Sequence, residues 1–250
     1  MSLLAFPAGV AIATVAIFAG IGGGILWMPL LISFYRLPPA EAVTCSLVIQ
    51  TFGQLSASAA HLHAGLIDRG LVVRLLPYVL LSAVAGTAVG PLIPEQLLQV
   101  SVGLLTFLVV YVFLRGDDFH EDTGGDVIDP AGLGAVKRIT VVGGLLSAIM
   151  SAGLGDWLVP ALHQRCRLRM ARSVATGVAV MASVSIISAA LQVASGRTID
   201  LSIVVPASAG VLVGAQIGAR LHHLVPGRLL KEVVVLILVH FAAHVTFDAF

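Results

Sequence analysis

Charged residues cut the chain into long uncharged runs. With Asp, Glu, Lys and Arg as the cuts, the runs cover 1–35, 42–67, 75–94, 96–114, 139–155, 157–164, 173–196, 201–219 and 233–247. A helix that crosses a membrane needs about 20 apolar residues, within a range of about 17 to 25. Joining 139–155 to 157–164 across the single acid Asp156 leaves eight hydrophobic blocks. The pattern predicts an all-α membrane protein of about eight transmembrane helices.

Two blocks are too long to cross once. Residues 1–35 would make a helix of about 50 Å and residues 139–164 one of about 39 Å, against a hydrocarbon core of about 30 Å. Both contain a glycine-dense break, Gly20-Ile21-Gly22-Gly23-Gly24 in the first and Gly153-Leu154-Gly155-Asp156 in the second. A proline, Pro29 or Pro160, follows each break. Glycine and proline are the residues a helix interior tolerates worst. The first helix of each half is therefore expected to be interrupted inside the membrane.

From the breaks onward the halves correspond, which marks an internal repeat. Arg36-Leu37 matches Arg167-Leu168 at the same distance from the proline. Ala42-Val43-Thr44-Cys45-Ser46 falls opposite Ser173-Val174-Ala175-Thr176-Gly177, His61 opposite Gln192, and Gly65 opposite Gly196. Gly86 and Gly90 answer Gly214 and Gly218, spacings that suit close helix packing. Aligned on the breaks themselves, Asp156 and Trp157 stand where the first half has Gly23 and Gly24. The expected organisation is two four-helix repeats, 1–115 and 137–250, joined by an acidic linker loop at 116–136. That linker holds Asp117, Asp118, Glu121, Asp122, Asp126 and Asp129 with Gly124-Gly125 and Pro130, and its acids lack the spacing of a calcium-binding EF-hand.

Composition excludes the main alternative. Hydrophobic residues make up 58% of the 250, charged residues only 11%, and mean hydropathy is +1.03. A soluble domain carries roughly a quarter charged residues, so this chain cannot cover a globule with charge. The first run has no basic residue before Arg36, which argues against a cleaved signal peptide. Cys45 and Cys166 suggest neither a disulfide framework nor a metal pair, and a net charge of +1 gives no basic arm for nucleic acid. If eight spans simply alternate, the cations divide eight against six between the faces, a weak bias. The densest cluster, Arg165 to Arg172, would be cytoplasmic and the linker and both termini periplasmic.

Several residues suggest chemistry. A break inside a transmembrane helix leaves backbone N–H groups unpaired where the helix resumes, and these with the helix dipole favour an oxyanion. Gly20, Gly22, Gly23 and Gly24, and Gly153 and Gly155 in the second break, are candidate substrate-binding positions on that ground. Ser46, Gln50, Gln54 and Ser58 recur every four residues, with His61 on the same face. Such a stripe either bonds a neighbouring helix or lines a cavity, and Ser46, Gln50 and Gln54 are placed in the binding site. Thr176 joins them from the weaker stripe of the second half. Asp156 is an acid inside an apolar run, a placement that costs about 2.5 to 3.5 kcal/mol at a helix centre. It is the candidate for proton coupling, with a plain helix-end acid as the other reading. No nucleophile–base pair marks an enzyme, because Cys45 or Ser46 stands too far from His61 along one helix. No glycine-rich Lys-Ser/Thr phosphate loop is present.

A glycine-rich break, a proline, a short basic loop, a helix opening Ala-Val-Thr-Cys-Ser and a later Gly-Leu-Ile-Asp together resemble the TauE/SafE sulfite-exporter family of membrane permeases. The resemblance extends over nearly the whole chain and appears in both halves. It implies a multi-pass inner-membrane protein and a secondary transporter of a small sulfur-containing or organic anion, such as a sulfite, sulfonate or carboxylate. An anion channel is the alternative; a metal-ion transporter suffers from sparse acids and absent ligand pairs. The expected partners are a small anionic substrate and the lipid bilayer, with a homodimer left open, and no cofactor, metal or nucleic acid.

Overall fold

The structure, a computed structural model, describes residues 4–115, 125, 128–152 and 154–221. The block at 233–247, most of the acidic linker and Gly153 lie outside the described residues. The helices are α1 (Ala5–Ala19), α2 (Gly24–Pro29, continued by a π-helical turn Leu30–Phe34), α3 (Pro39–His63), α4 (Arg69–Val89), α5 (Glu95–Arg115), α6 (Leu133–Met150), α7 (Leu154–Cys166), α8 (Met170–Ala194) and α9 (Leu201–Leu221). Their ends follow local chemistry. Pro39 opens α3 at a position where its missing N–H costs nothing. The Asp68 carboxylate caps α4 by accepting the Leu71 N–H at 2.9 Å. Gly20, with φ +68°, ends α1 in the left-handed region.

The protein is an all-α membrane protein. Four helical stretches, Arg69–Leu92, Pro130–Met150, Met170–Ala194 and Leu201–Arg220, are long and apolar enough to cross a membrane. Large apolar side chains such as Leu80, Leu81, Leu104 and Val205 stand exposed on the outside; in a bilayer they meet lipid. The 25-residue α3 is not among the four, because its serines, glutamines and histidines dilute its apolarity. Every residue of α2 is buried, with Ile25, Trp27 and Met28 at 1% exposure or less.

Each broken block, counted as one interrupted span in the sequence, is two segments in the structure. The chain turns back at each break. A Cβ on Gly132, just before α6, would meet the Arg165 carbonyl at the end of α7, and one on Gly143 would lie 3.0 Å from Leu154. The Asp129 N–H donates to the Cys166 carbonyl at 2.9 Å. Helices α6 and α7 are thus an antiparallel hairpin whose described tip residues are Ser151 and Ala152.

The first block reverses too. Gly210, Gly214 and Gly218 of α9 abut Phe6, Val10 and Thr14 of α1 in rising order, so these two helices are parallel. Helix α9 is also parallel to α3, since Gly53 meets Val211 and the Gln216 amide donates to the Ser56 carbonyl at 2.7 Å. With α1 and α3 pointing the same way, the 24–34 stretch carries the chain back. We call the end where α3 finishes the upper face. Gly86 abuts Ala148 and Leu145, and Gly144 abuts Ser82, so α4 and α6 run down together. Gly90, expected to serve packing, has nothing within 4 Å of a would-be Cβ.

Three pairs of residues with left-handed backbone stand 131 residues apart: Gly20 and Ser151, Arg36 and Arg167, Gly65 and Gly196. Pro29 and Pro160 keep that offset. At that offset Asp156 falls opposite Ile25 and Gly155 opposite Gly24, whereas the glycine breaks alone set Asp156 opposite Gly23. The polar linker also moves. Gly125 pairs with the Arg167–Arg169 segment, and Asp129 with Cys166, so these linker residues share the face of the arginine cluster rather than the opposite one.

Candidate functional site

The two hairpin tips meet in the interior. A Cβ on Gly24 would fall on the Ser151 carbonyl and within 2.7 Å of the Gln50 amide; one on Gly155 would lie 2.7 Å from the Gly22 nitrogen and also strike the Met181 sulfur. Backbone therefore packs directly on backbone, which only glycine allows. Gly22 and Gly23 differ. The nearest atoms to their would-be Cβ positions are 3.9 Å and 3.7 Å away, ordinary contact distances. Neither packing nor left-handed backbone requires glycine there. The backbone N–H groups of Gly22, Gly23 and Gly24 have no backbone acceptor among the described residues. Helix α2 is only six residues long, so these donors count for more here than any helix dipole.

The α3 stripe faces this junction. Ser46, Gln50 and Gln54 are buried. The Gln50 amide donates to the Ser151 hydroxyl at 2.6 Å, to the Ser151 carbonyl at 3.1 Å and to the Ser46 hydroxyl at 3.2 Å. The Ser151 hydroxyl donates to Ser46 at 2.8 Å, and the Gln54 amide reaches Gln50 Oε1 at 3.4 Å. Between the two readings of the stripe, the lower half bonds the second tip. Higher up, Gln54 Oε1 and Ser58 Oγ have no hydrogen-bond partner among the described residues. Buried polar atoms are normally paired, so these two suit water or a polar ligand.

Thr176 is placed elsewhere: its hydroxyl accepts the Asp68 N–H at 3.1 Å, at the start of α4. Cys45 plays the matching part in the other half, against the Asp200 backbone N–H. Asp156 is 4% exposed and sits in the first turn of α7 beside Gly155, where the positive end of a helix favours a carboxylate. His63 is exposed, with Nδ1 at 2.7 Å from the Ala59 carbonyl, and His61 is buried. Among the described residues no three His, Cys, Asp or Glu side chains gather as metal ligands.

The sequence reading left two residues out of the candidate site. Ser151 is the hub of the polar cluster; its signal was the constant offset that sets it against Gly20. Gln192 is the other. Its carbonyl oxygen accepts the Thr44 hydroxyl at 2.7 Å while its amide donates to the Ala148 carbonyl at 2.9 Å. It thereby ties α8, α3 and α6 together below the second tip.

Comparison with known proteins places the chain in a family. No solved structure matches the chain. A curated relative, the "Probable membrane transporter protein YdhB" of Bacillus subtilis (strain 168), is 23% identical over 223 residues, which cover 88% of this chain and 89% of that protein. The profile of the "Sulfite exporter TauE/SafE" family matches residues 5–245. The chain belongs to the TauE/SafE sulfite exporter family and is a membrane transport protein.

Proposed function

We propose that this protein is a secondary transporter that moves a small sulfur-containing or organic anion across the inner membrane by alternating access at the paired hairpin tips. One observation carries the reading. Three consecutive glycine N–H groups without a backbone acceptor among the described residues, and a buried amide cluster, converge where two re-entrant segments meet. Backbone that is not helical is tolerated at membrane depth only when enclosed by protein or lining a water-filled path. Donors without acceptors there suit the oxygens of a sulfite, sulfonate or carboxylate.

The helix directions support two repeats of opposite orientation. Shifting by 131 turns α1, α3 and α4 into α6, α8 and α9. It thereby turns the parallel pair α1–α9 into the parallel pair α6–α4. The central helices α3 and α8 are antiparallel: Thr44 near the start of α3 bonds Gln192 near the end of α8, and Thr176 near the start of α8 bonds Asp68 just after α3. Inverted repeats of this kind can exchange conformations and so open a central site to either side. The domain boundaries 1–115, 116–136 and 137–250 belong to this proposal.

These directions also sharpen the orientation. Arg115 aside, the upper face carries Arg69, Arg74, Lys137, Arg138, the four arginines from Arg165 to Arg172, and Arg220. The lower face carries Arg36 and Arg197. Among the described residues nine against two is a strong bias where simple alternation gave a weak one, and it favours a cytoplasmic upper face. Asp156, next to the tip contact, is the proposed site of proton coupling.

Proteoliposome uptake tests the reading, with sulfite, sulfoacetate, oxalate and lactate as trial anions. A saturable, countertransported flux is expected for at least one, and a Gly23→Val protein should fold normally yet lose it. Full uptake by Gly23→Val sinks the glycine site; a flux that never saturates indicates a channel.

A further inference from the structure

A cavity lies below the tips, toward the lower face. It has a volume of about 170 Å³ and is lined by Thr87 and Gly90 at the end of α4, Glu95 at the start of α5, Ile149 at the end of α6, and Gln192 and Arg197 around the end of α8. That is room for several waters or one small ion and less than a drug-sized pocket. The open space beside Gly90, unexplained by packing, belongs to this cavity.

Its lining is mixed, with Ala40, Val43, Ile93 and Leu98 on the apolar side, and its charge is one-sided. The Thr87 hydroxyl is buried without a hydrogen-bond partner among the described residues. Arg197 is half-buried and its guanidinium has no ion-pair or hydrogen-bond partner among them. Glu95, the opposing charge, is exposed. Water therefore screens the carboxylate more than the guanidinium, and the interior of the cavity favours a negative guest. The inner wall is Gln192, whose bonds to Thr44 and Ala148 separate the cavity from the second tip.

We infer that this cavity is a recruitment site for the transported anion on the lower face. Arg197 selects the charge, Thr87 donates a hydrogen bond, and the Gln192–Thr44–Ala148 link is the partition the anion passes to reach the tips. The inference rests on the transporter reading for the identity of its ligand but not for its test.

The test places a thiol in the cavity, Thr87→Cys, in a protein whose buried Cys45 and Cys166 are replaced by alanine. Purified protein in detergent reacts with a sulfonate-bearing and with a trimethylammonium-bearing methanethiosulfonate, each rate normalised to that of a free small thiol. The normalised anion-to-cation ratio is expected to exceed one with Arg197 present. It should drop by about fivefold or more in Arg197→Gln, as the loss of one nearby partly screened charge implies, and further in Arg197→Glu. A ratio that Arg197→Gln leaves unchanged overturns the inference, as does a thiol at 87 that reacts with neither reagent. In proteoliposomes given radiolabelled sulfite, Arg197→Gln should raise KM and spare the maximal rate. No sulfite uptake by the unmutated protein would count against sulfite as cargo, while the reagent ratio still decides for or against the cavity.

Discussion

The two hairpin tips share a backbone and differ in chemistry. Each begins with a left-handed residue, Gly20 or Ser151, and each places a glycine, Gly24 or Gly155, against the other tip. Around them the sequence diverges. Ser46, Gln50 and Gln54 of α3 correspond, 131 residues on, to Gly177, Met181 and Ser185 of α8. The second tip is therefore held by a glutamine and a serine, whereas the first meets a thioether, with the Met181 sulfur 3.9 Å from a Cβ on Gly22. The glycine N–H groups of the first tip have no backbone acceptor among the described residues, and the second tip carries the carboxylate Asp156. Matching backbones are what the proposed exchange between the halves requires; the unequal side chains set free glycine backbone beside one tip and a carboxylate on the other.

The backbone match gives the largest effect. Gly24→Ala puts a methyl group onto the Ser151 carbonyl, a backbone atom that cannot swing aside. A loss of about 3 kcal/mol or more is expected, at the top of the range for overpacking. Gly155→Ala should be nearly as severe, since it meets the Gly22 nitrogen. Gly23→Ala should leave the unfolding temperature in detergent almost unchanged. Equal unfolding temperatures for Gly24→Ala and Gly23→Ala would mean the tips do not touch as described.

Next comes the carboxylate that only the second tip has. Asp156→Asn fixes a neutral side chain at the start of α7. Counterflow of labelled anion should survive while accumulation driven by an imposed pH gradient disappears. Retention of both would make Asp156 a structural helix-end acid and put the coupling ion elsewhere; loss of both would make it part of the fold or of the binding site.

Much of this contrast was legible in the sequence, and the part that was not has a physical cause. Runs of apolar residues and the glycines at 20–24 marked the helices and the first break, because those signals are local. The reversal at each break was invisible. An apolar run reports that a segment is in the membrane, not which way it points, and the direction of α1 is set by Gly210, Gly214 and Gly218 some 200 residues later. Ser151 was missed because serine seldom occupies a left-handed position that glycine takes more cheaply. Asp156 was set two places out of register, since gaps between glycines are a weaker ruler than the paired Pro29 and Pro160.

The unequal stripes predict a smaller effect. Gln50→Leu removes the amide and leaves the Ser151 carbonyl and hydroxyl short of a donor, which costs about 1 to 3 kcal/mol when the acceptor is buried. The corresponding change in the other half, Met181→Leu, only swaps one apolar shape for another and should cost less than about 1.5 kcal/mol. Thermal unfolding of the two proteins in the same detergent compares them directly. If Met181→Leu proves the more damaging, the polar cluster is not what holds the second tip.

The smallest effect tests whether Ser151 is kept for its side chain or its backbone. Its φ of +61° is costly for a residue with a Cβ, by about 1 to 2 kcal/mol, and free for glycine. Against that, its hydroxyl joins Ser46 and Gln50 in bonds worth about 1 kcal/mol net. Ser151→Gly, which makes the second tip resemble the first, relieves the strain while losing the bonds, so stability should change by no more than about 1 kcal/mol. Ser151→Ala loses the same bonds and keeps the strain, so it should be the less stable of the two by about the left-handed penalty. The order of the two unfolding temperatures is the measurement. Glycine above alanine means that the left-handed turn is real and the hydroxyl is retained for the polar cluster. Alanine at or above glycine would mean that position 151 is not held left-handed, and the match between the two tips would then stop at their sequences.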